Sequence, residues 1–401
     1  MLKKTSYLTL ALATGLVGQA SAAVNDSGED QMPQGVEVPL FEDIQEQGPV
    51  ELPEHLKKRI QENVEKQKNG SSNVITPDTT YGINFSQMGT YYIYSNNPEP
   101  ILGSHLTNTQ GGSYTTETTL LSNEMYVADF YHHNNSSLSG VKLGIAVKNT
   151  SSSVATLDVG QKAIRNAGYT IDMSTLVEVD YGKSTNYQTL TINPGETKVL
   201  MYTSLPNGYI GNGKIWMSTN SSGLKARVYF AHPNTLDSKI FSFPQATSSY
   251  TGFTSGTFKH SQRQAWIDAN TYYPGNTFYL SSYEAQGNTN EYEYADTVGN
   301  TLLGRNKIMG NYGVEYWVGV KNSAGRKLNI YPNLTSPSSC SGSGGRIALW
   351  TQNTGWYTTS KITTAGSFWS MALPAPDVDG YSYFAYVLPG GACGNVKFEV
   401  Q

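Results

Sequence analysis

The stretch that decides the fold is GVKLGIAVKNT at residues 140–150, which residues 313–323 echo as GVEYWVGVKNS. Both stretches begin with Gly-Val and end with Val-Lys-Asn before a hydroxyl residue. Side chains alternate between the two faces of a β-strand, so apolar residues at every second position indicate a strand with one buried face. In the first stretch the inward residues are Val141, Leu143, Ile145 and Val147, with Lys142 and Lys148 on the other face. In the second they are Val314, Tyr316, Val318 and Val320, with Glu315, Trp317 and Lys321 on the outer face.

Two further echoes follow in the same order along the chain. Leu205-Pro206 followed by Gly208-Tyr209 is matched by Leu373-Pro374 followed by Gly380-Tyr381. Each half then closes on a short alternating run, at residues 225–230 and 395–400. Repetition at so long a spacing predicts two related domains and not a solenoid of small repeats.

The composition favours β-structure in both halves. Charged residues make up 14% of the chain, and 28 Tyr and 40 Gly accompany many Ser, Thr and Asn. Tyr and Thr pack well on a pleated sheet, and Gly serves turns. Short alternating segments, with turns between them and no helical periodicity after Pro77, are typical of β-sandwiches. We therefore predict an all-β fold of two tandem, related β-sandwich domains, immunoglobulin-like or jelly-roll-like, at residues 78–247 and 248–401.

The N-terminal residues predict export. Lys3 and Lys4 precede an apolar stretch at residues 8–17, and Ala20-Ser21-Ala22 has the small residues of a signal peptidase site, so we expect residues 1–22 to be removed. No later stretch approaches the roughly 20 apolar residues that span a bilayer. We predict a secreted protein, extracellular or at the cell surface, without a transmembrane segment.

Residues 23–77 form an acidic and polar tail. Within it Leu56, Ile60 and Val64 recur every fourth residue after Pro53, which predicts one short amphipathic helix. This helix is either a docking element or pro-segment that lies across the first domain, or a transient helix in a tether.

Four motifs follow one another in the first domain: residues 94–99 (YSNNPE), Tyr131-His132 with Asn134, residues 147–149 (VKN), and Pro194-Gly195. In this order they resemble an exported module of Gram-positive bacteria whose function is uncharacterised, and the resemblance covers about residues 90–235. In that family the module often accompanies a copper-amine-oxidase-type N-terminal stalk domain, which this sequence does not show. The resemblance implies a role at the cell wall or surface and brings no catalytic residues with it.

Two cysteines, Cys340 and Cys393, lie in Gly/Ser-rich segments of the second half. An even number of cysteines in an exported chain favours a disulfide between them, which would stabilise the fold by roughly 4 kcal/mol on the loop-entropy account. The alternative is two free thiols in unrelated loops.

Sites for metal or acid–base chemistry are weakly indicated. His132 and His133 lie near Asp129, but neighbours on a strand point to opposite faces, so we expect one imidazole inside, the other solvated and no metal or cofactor bound. A net charge of -4 argues against nucleic acid as a partner. The carboxylates that could serve a glycosidase are Glu284, Glu291, Glu293 and Asp296. Glu291 and Glu293 alternate with tyrosines and fit a solvated strand face better.

Exposed aromatic residues are the remaining functional signal. Trp317, Trp350 and Trp356 are candidates for stacking against sugar rings, whereas Trp369 shares its phase with Met371 and Leu373 and is expected in the core. We predict a secreted non-catalytic structural or adhesive protein that acts at or outside the cell envelope, where its partner is a polysaccharide or a protein. The alternatives are a carbohydrate-binding protein that uses these tryptophans and a two-domain jelly-roll hydrolase.

Overall fold

The computed structural model describes residues 37–38, 74–75, 85–168, 171–250, 252–272, 277–280, 293–296, 300–308, 311–332, 334, 344–377, 380–392 and 396–401. The predicted signal peptide, the predicted helix near Leu56, and Cys340 and Cys393 all lie outside these ranges. The described part of the chain is mostly β-strand, so the all-β prediction is confirmed.

The strands of the first half are β1 (Glu37–Val38), β2 (Val74–Ile75), β3 (Phe85–Met88), β4 (Tyr91–Ser95), β5 (Gly112–Thr119), β6 (Glu124–His133), β7 (Val141–Asn149), β8 (Ala155–Ala167), β9 (Gln188–Ile192), β10 (Thr197–Leu205), β11 (Ile210–Thr219) and β12 (Leu224–Ala231). Those of the second half are β13 (Thr254–Phe258), β14 (Gln262–Asp268), β15 (Thr277–Leu280), β16 (Leu303–Gly304), β17 (Glu315–Lys321), β18 (Lys327–Pro332), β19 (Ala348–Thr351), β20 (Gly355–Thr358), β21 (Phe368–Ala372), β22 (Tyr381–Val387) and β23 (Val396–Val400). The α-helices are α1 (Ile171–Lys183) and α2 (Ala269–Tyr272), and short 3-10 helices lie at Gly103–His105 and Asp237–Ser242.

The first half is a jelly roll. One sheet has the order β10-β7-β12-β5, and the facing sheet contains β6-β11-β8-β9. Successive strands therefore alternate between the two sheets, except for the hairpin of β8 and β9. Eight strands arranged in this way as two sheets are the jelly-roll form of the β-sandwich. The core between the sheets contains residues of both, including Leu143, Ile145, Ile215 and Met217.

The second half repeats this order strand for strand. The sheet β21-β18-β23-β15 corresponds to β10-β7-β12-β5, and β17-β22-β19-β20 corresponds to β6-β11-β8-β9. In both halves an extra strand precedes the eight and pairs in parallel with the first strand of the second sheet, β4 with β6 and β14 with β17. The duplication seen in the sequence is therefore a duplication of one topology.

The topology corrects one of the three sequence echoes. The Leu-Pro echo joins β10 to β11 and β21 to β22, and the closing runs are β12 and β23, so both of these echoes match equivalent strands. Residues 140–150 contain β7, however, and residues 313–323 contain β17, whose equivalent in the first half is β6. The alternation predicted inside each strand is nevertheless confirmed, since Val141, Leu143, Ile145, Val147, Val314, Tyr316, Val318 and Val320 are all buried.

A two-stranded ribbon joins the two jelly rolls. β4 pairs with β13, and β3 pairs with β14, in one unbroken antiparallel register that runs from Ser95 opposite Ser255 to Phe85 opposite Ala265. Midway along it, the backbone N–H of Ser261 donates to the carbonyl of Thr90 at 3.0 Å. The sheets therefore do not divide at a single point of the chain, because β3 lies in the C-terminal sheet and β13 and β16 lie in the N-terminal sheet. The domain boundary at residue 247 stays a prediction.

Helix α1 lies between the two jelly rolls. It contacts β8 and β11 on one side and β19 and β20 on the other. Its buried residues cover most of the helix surface and leave one side partly exposed: Ile171, Met173, Ser174, Thr175, Val177, Glu178, Val179 and Tyr181. Polar residues lie on its buried side and Leu176 lies on its partly exposed side, so the helix has no apolar stripe and the sequence did not predict it.

Candidate functional site

The candidate ligand-binding site lies on the outer face of the C-terminal sheet formed by β14, β17, β22, β19 and β20. Register places Trp266, Gly319 and Tyr383 side by side across β14, β17 and β22. The adjacent row, at the ends of these three strands, contains Asp268, Lys321 and Tyr381. We call Trp266, Tyr381 and Tyr383 the aromatic face.

Trp266 is a large apolar side chain that the fold leaves open to solvent. It is 50% exposed, although tryptophan is usually mostly buried. Its six-membered ring lies so close to the backbone of Gly319 that any side chain at 319 would collide with it. The ring also meets Tyr381 and Tyr383 edge-on, with centroids at 5.1 Å and 5.9 Å. These contacts hold the indole in place while part of its surface stays free.

Polar groups on one side of the aromatic face hold Tyr383. Its hydroxyl donates to Asp377 Oδ2 at 3.1 Å, and its backbone N–H donates to Gln352 Oε1 at 3.1 Å. The Gln352 side chain in turn donates to the carbonyl of Ala375 at 2.7 Å. An amide and a carboxylate therefore lie beside the exposed rings.

On the other side, Asp268 supplies a second carboxylate. Asn322 Nδ2 and the backbone N–H of Asn270 donate to its Oδ1 at 2.8 Å and 2.9 Å. These hydrogen bonds lower the pKa of Asp268 below its usual range, and the bond from Asn322 has the largest effect. Arg326 extends the polar rim by donating to Asn270 Oδ1 at 2.5 Å.

The three tryptophans proposed from the sequence lie together in the next row of the same sheet face. Trp317 is on the outer face as alternation predicts, and its centroid is 4.9 Å from that of Trp350 and 6.2 Å from that of Trp356. Helix α1 covers this part of the sheet, so Trp317 is only 4% exposed and Trp356 only 6%, while Trp350 is partly buried. The indole N–H of Trp317 donates to Glu315 Oε2 at 2.8 Å. Trp317 and Trp356 therefore offer little ring surface to a ligand.

Sequence reasoning missed Trp266, although the signal was present. The stretch QRQAWID at Gln262–Asp268 alternates, and it places Trp266 in phase with Gln264 and Asp268, opposite Ala265 and Ile267. A tryptophan in the polar phase of a strand is expected on the outer face. The prediction that Trp369 belongs to the core is confirmed, since it is fully buried.

The histidine pair divides as expected. His132 is fully buried, and its Nε2 and Nδ1 lie 2.8 Å from Ser95 Oγ and 2.8 Å from the carbonyl of Pro98. His133 is partly exposed. No group of three or more His, Cys, Asp or Glu side chains within the described ranges is placed to hold a metal ion.

The carboxylates proposed for a hydrolase have other partners where they are described. The expectation of a solvated strand face is wrong for Glu293, which is buried and forms ion pairs with Arg263 at 3.0 Å and His260 at 3.1 Å. Asp296 is partly exposed, and Glu284 and Glu291 lie outside the described residues. His260 lines a shallow cleft beside the ribbon, together with Thr90, Tyr91, Glu124 and Lys259.

Comparisons with known proteins leave the function open. No family model and no curated protein matches the chain. Among solved structures it is similar to tripeptidyl peptidase 2, at 7% identity and a TM-score of 0.17 over 80% of this chain and 26% of that one. It is also similar to a cycloisomaltooligosaccharide glucanotransferase of a Paenibacillus species complexed with cycloisomaltoheptaose, at 9% identity and a TM-score of 0.15 over 80% of this chain and 45% of that one.

The chain therefore spans less than half the length of either structure, and TM-scores this low carry no argument about fold or function. The resemblance to a Gram-positive exported module stays a prediction. None of the helices in the described ranges has the length and apolar character needed to cross a bilayer.

Proposed function

We propose that the chain is a secreted, non-catalytic adhesive protein that binds a cell-envelope or extracellular polysaccharide through the aromatic face. The observation that carries the proposal is the half-exposed ring of Trp266, held in place by Gly319, Tyr381 and Tyr383. The signal peptide predicted at residues 1–22 supports a location outside the cell.

The chemistry of the aromatic face suits a sugar. The apolar C–H side of a pyranose ring can cover a flat indole, while its hydroxyls require donors and acceptors at the rim. Asp268, Gln352 and Asp377 lie beside the rings and supply such groups. Because the indole is already fixed by its neighbours, little side-chain entropy is lost when a ligand binds.

Trp266→Ala tests the proposal directly. We expect it to weaken retention on an insoluble polysaccharide roughly 30-fold, which corresponds to the loss of about 2 kcal/mol at a central contact. Binding is measured by depletion on cellulose, chitin, peptidoglycan and related polymers, and a glycan array with the wild-type chain identifies the sugar. Tyr202→Ala is the matched control, because Tyr202 is also a half-exposed aromatic on a strand but belongs to β10 of the other jelly roll. Equal retention of the wild type and both variants on every binding polymer would refute the proposed site.

The covered tryptophans should respond differently. Trp317→Ala removes a buried ring and is expected to lower the free energy of unfolding by about 3–5 kcal/mol. The fraction of this variant that stays folded should bind the polysaccharide with wild-type affinity. If a folded Trp317→Ala protein no longer binds the polysaccharide, the binding site includes the tryptophan row under α1 and the proposed site is wrong.

A further inference from the structure

A group of ionisable side chains is sealed between the jelly rolls. Lys214 on β11 lies directly opposite Asp129 on β6, and Glu178 reaches them from α1. All three side chains are fully buried. They lie on the outer face of the N-terminal sheet, where α1 covers it.

The distances are those of a loose cluster. Lys214 Nζ lies 3.4 Å from Glu178 Oε2 and 3.8 Å from Asp129 Oδ2. Well-formed hydrogen bonds between an ammonium and a carboxylate are about 2.7–2.9 Å long. Asp129 Oδ1, Glu178 Oε1 and the Tyr181 hydroxyl have no hydrogen-bond partner in the described part of the chain. Three unpaired buried polar atoms are costly, so a plain ion pair leaves this cluster poorly satisfied.

Aromatic rings enclose the cluster, and burial favours the uncharged form of both carboxyls. Tyr181 and Tyr92 flank Lys214, with ring centroids 5.1 Å and 6.0 Å from Nζ. Burial raises the pKa of Asp129 and of Glu178 well above their usual range, against the opposing effect of Lys214. The reaction proposed below starts with one of the two carboxyls protonated and the other ionised beside the Lys214 ammonium. Transfer of one proton from Lys214 to the ionised carboxyl then gives an amine beside two carboxylic acids without changing the net charge. A desolvated neutral lysine amine is a nucleophile.

We propose that Lys214 and Asp129 join in an intramolecular amide bond, with Glu178 as the proton carrier. Lys214 Nζ attacks Asp129 Cγ, the C–O bond to the departing hydroxyl breaks, and one water leaves for each amide formed. The Glu178 carboxylic acid accepts the proton of the attacking nitrogen on its carbonyl oxygen and gives its own hydroxyl proton to the departing hydroxyl. No oxidant or reductant is needed.

Tyr92 assists at the carbonyl oxygen. Its hydroxyl donates to Asp129 Oδ2 at 3.0 Å, so it polarises the group under attack and stabilises the oxyanion that forms there. The product is an amide between two adjacent central strands of the N-terminal sheet. It removes the buried ammonium and one buried carboxyl, which relieves the burial of unpaired charge.

Intact-mass spectrometry of the folded, purified protein tests the inference. We expect a mass lower than that of the unmodified chain by one water, and a branched peptide after proteolysis that contains Lys214 and Asp129. Glu178→Gln keeps both reacting groups but cannot carry the proton, so its mass should be that of the unmodified chain. Lys214→Met should likewise lose no water.

The same digest contains its own controls. Lys225 and Glu117 are closer, at 2.7 Å, but are partly exposed, so no amide between them is expected. A succinimide at Asp379-Gly380 would also lower the mass by one water. Fragment spectra distinguish it from the amide, because they would locate the mass change at Asp379-Gly380 and not in a branched peptide. A folded wild-type chain of full mass overturns the proposal, whatever the variants do. An amide that still forms in folded Glu178→Gln would refute the role of Glu178.

Discussion

His132 is a residue whose ionisation is coupled to folding. The ring is fully buried between Ser95 and the carbonyl of Pro98, so in its neutral form Nδ1 donates to that carbonyl and Nε2 accepts from the Ser95 hydroxyl. Burial lowers the pKa of His132 to about 4, although the hydrogen bond to Pro98 opposes this shift. Protonation of His132 therefore competes with the folded state.

The ionisation of His132 should make the free energy of unfolding depend on pH. The pKa of His132 is about 4 when folded and near its ordinary value of 6.5 when unfolded, so between these values the unfolded chain binds a proton that the folded chain does not. Its contribution is complete above pH 6.5 and decreases by about 3 kcal/mol as the pH falls to 4. We expect urea unfolding to show that the difference in stability between the wild type and His132→Gln shrinks by this amount from pH 7 to pH 4. A difference that does not change with pH would contradict the assignment.

At the scale of elements, α1 decides which tryptophans are open to solvent. The turn at its end packs Gly182 against the indole of Trp356, and Val179 packs on the same buried cluster as Trp317. Beyond the reach of α1, Trp266 on the same sheet face stays exposed. The helix thus separates the structural aromatics from the aromatic face.

Gly182→Ala tests this packing, because the expected change in the free energy of unfolding is opposite to the usual one for this substitution in a helix. In an ordinary helix the change from glycine to alanine stabilises by about 0.5–1 kcal/mol. Here the added methyl group would collide with the near edge of Trp356, so we expect a loss of about 1–3 kcal/mol in urea unfolding. Gly168→Ala is the control, since nothing lies within 4 Å of a methyl group there and little change is expected. A stabilised Gly182→Ala variant would show that the helix does not press on Trp356.

Strand alternation predicted which residues face the core, because successive side chains of a strand point to opposite faces and the buried face of a half-buried strand is apolar. It succeeded for Leu143 and Val318, and it placed Trp317 on the outer face correctly. It could not show that α1 covers that face, because polar residues such as Ser174 and Glu178 lie on the buried side of the helix and remove its apolar periodicity. The site residue Trp266 was accessible to the same reasoning and was missed only because its strand was not identified.

At the scale of the whole molecule, the two jelly rolls are linked by more than a tether. The ribbon of β3 and β4 with β13 and β14 extends across both N-terminal and C-terminal sheets. One hydrophobic cluster contains the interior of the C-terminal jelly roll together with Met173 and Tyr181 of α1 and Trp216 of the N-terminal sheet. Neither jelly roll can unfold without exposing apolar surface of the other.

The echoes in the sequence predicted two related units, but they could not show this sharing. Pairing of residue 95 with residue 255 is a long-range contact that leaves no local pattern in the chain. The Val-Lys-Asn echo also matched strands that are not equivalent, because an alternating pattern reports that one strand face is buried and does not report the position of the strand in its sheet. The topology identified the equivalent strands by their neighbours.

The most direct test of the central claim, two interlocked jelly rolls that form one structural unit, is differential scanning calorimetry of the full chain. We expect a single transition whose calorimetric and van't Hoff enthalpies agree, because the ribbon and the shared cluster couple the two halves. Two separate transitions, each assignable to one half by a destabilising change such as Leu143→Ala or Val318→Ala, would show independent domains and contradict the claim.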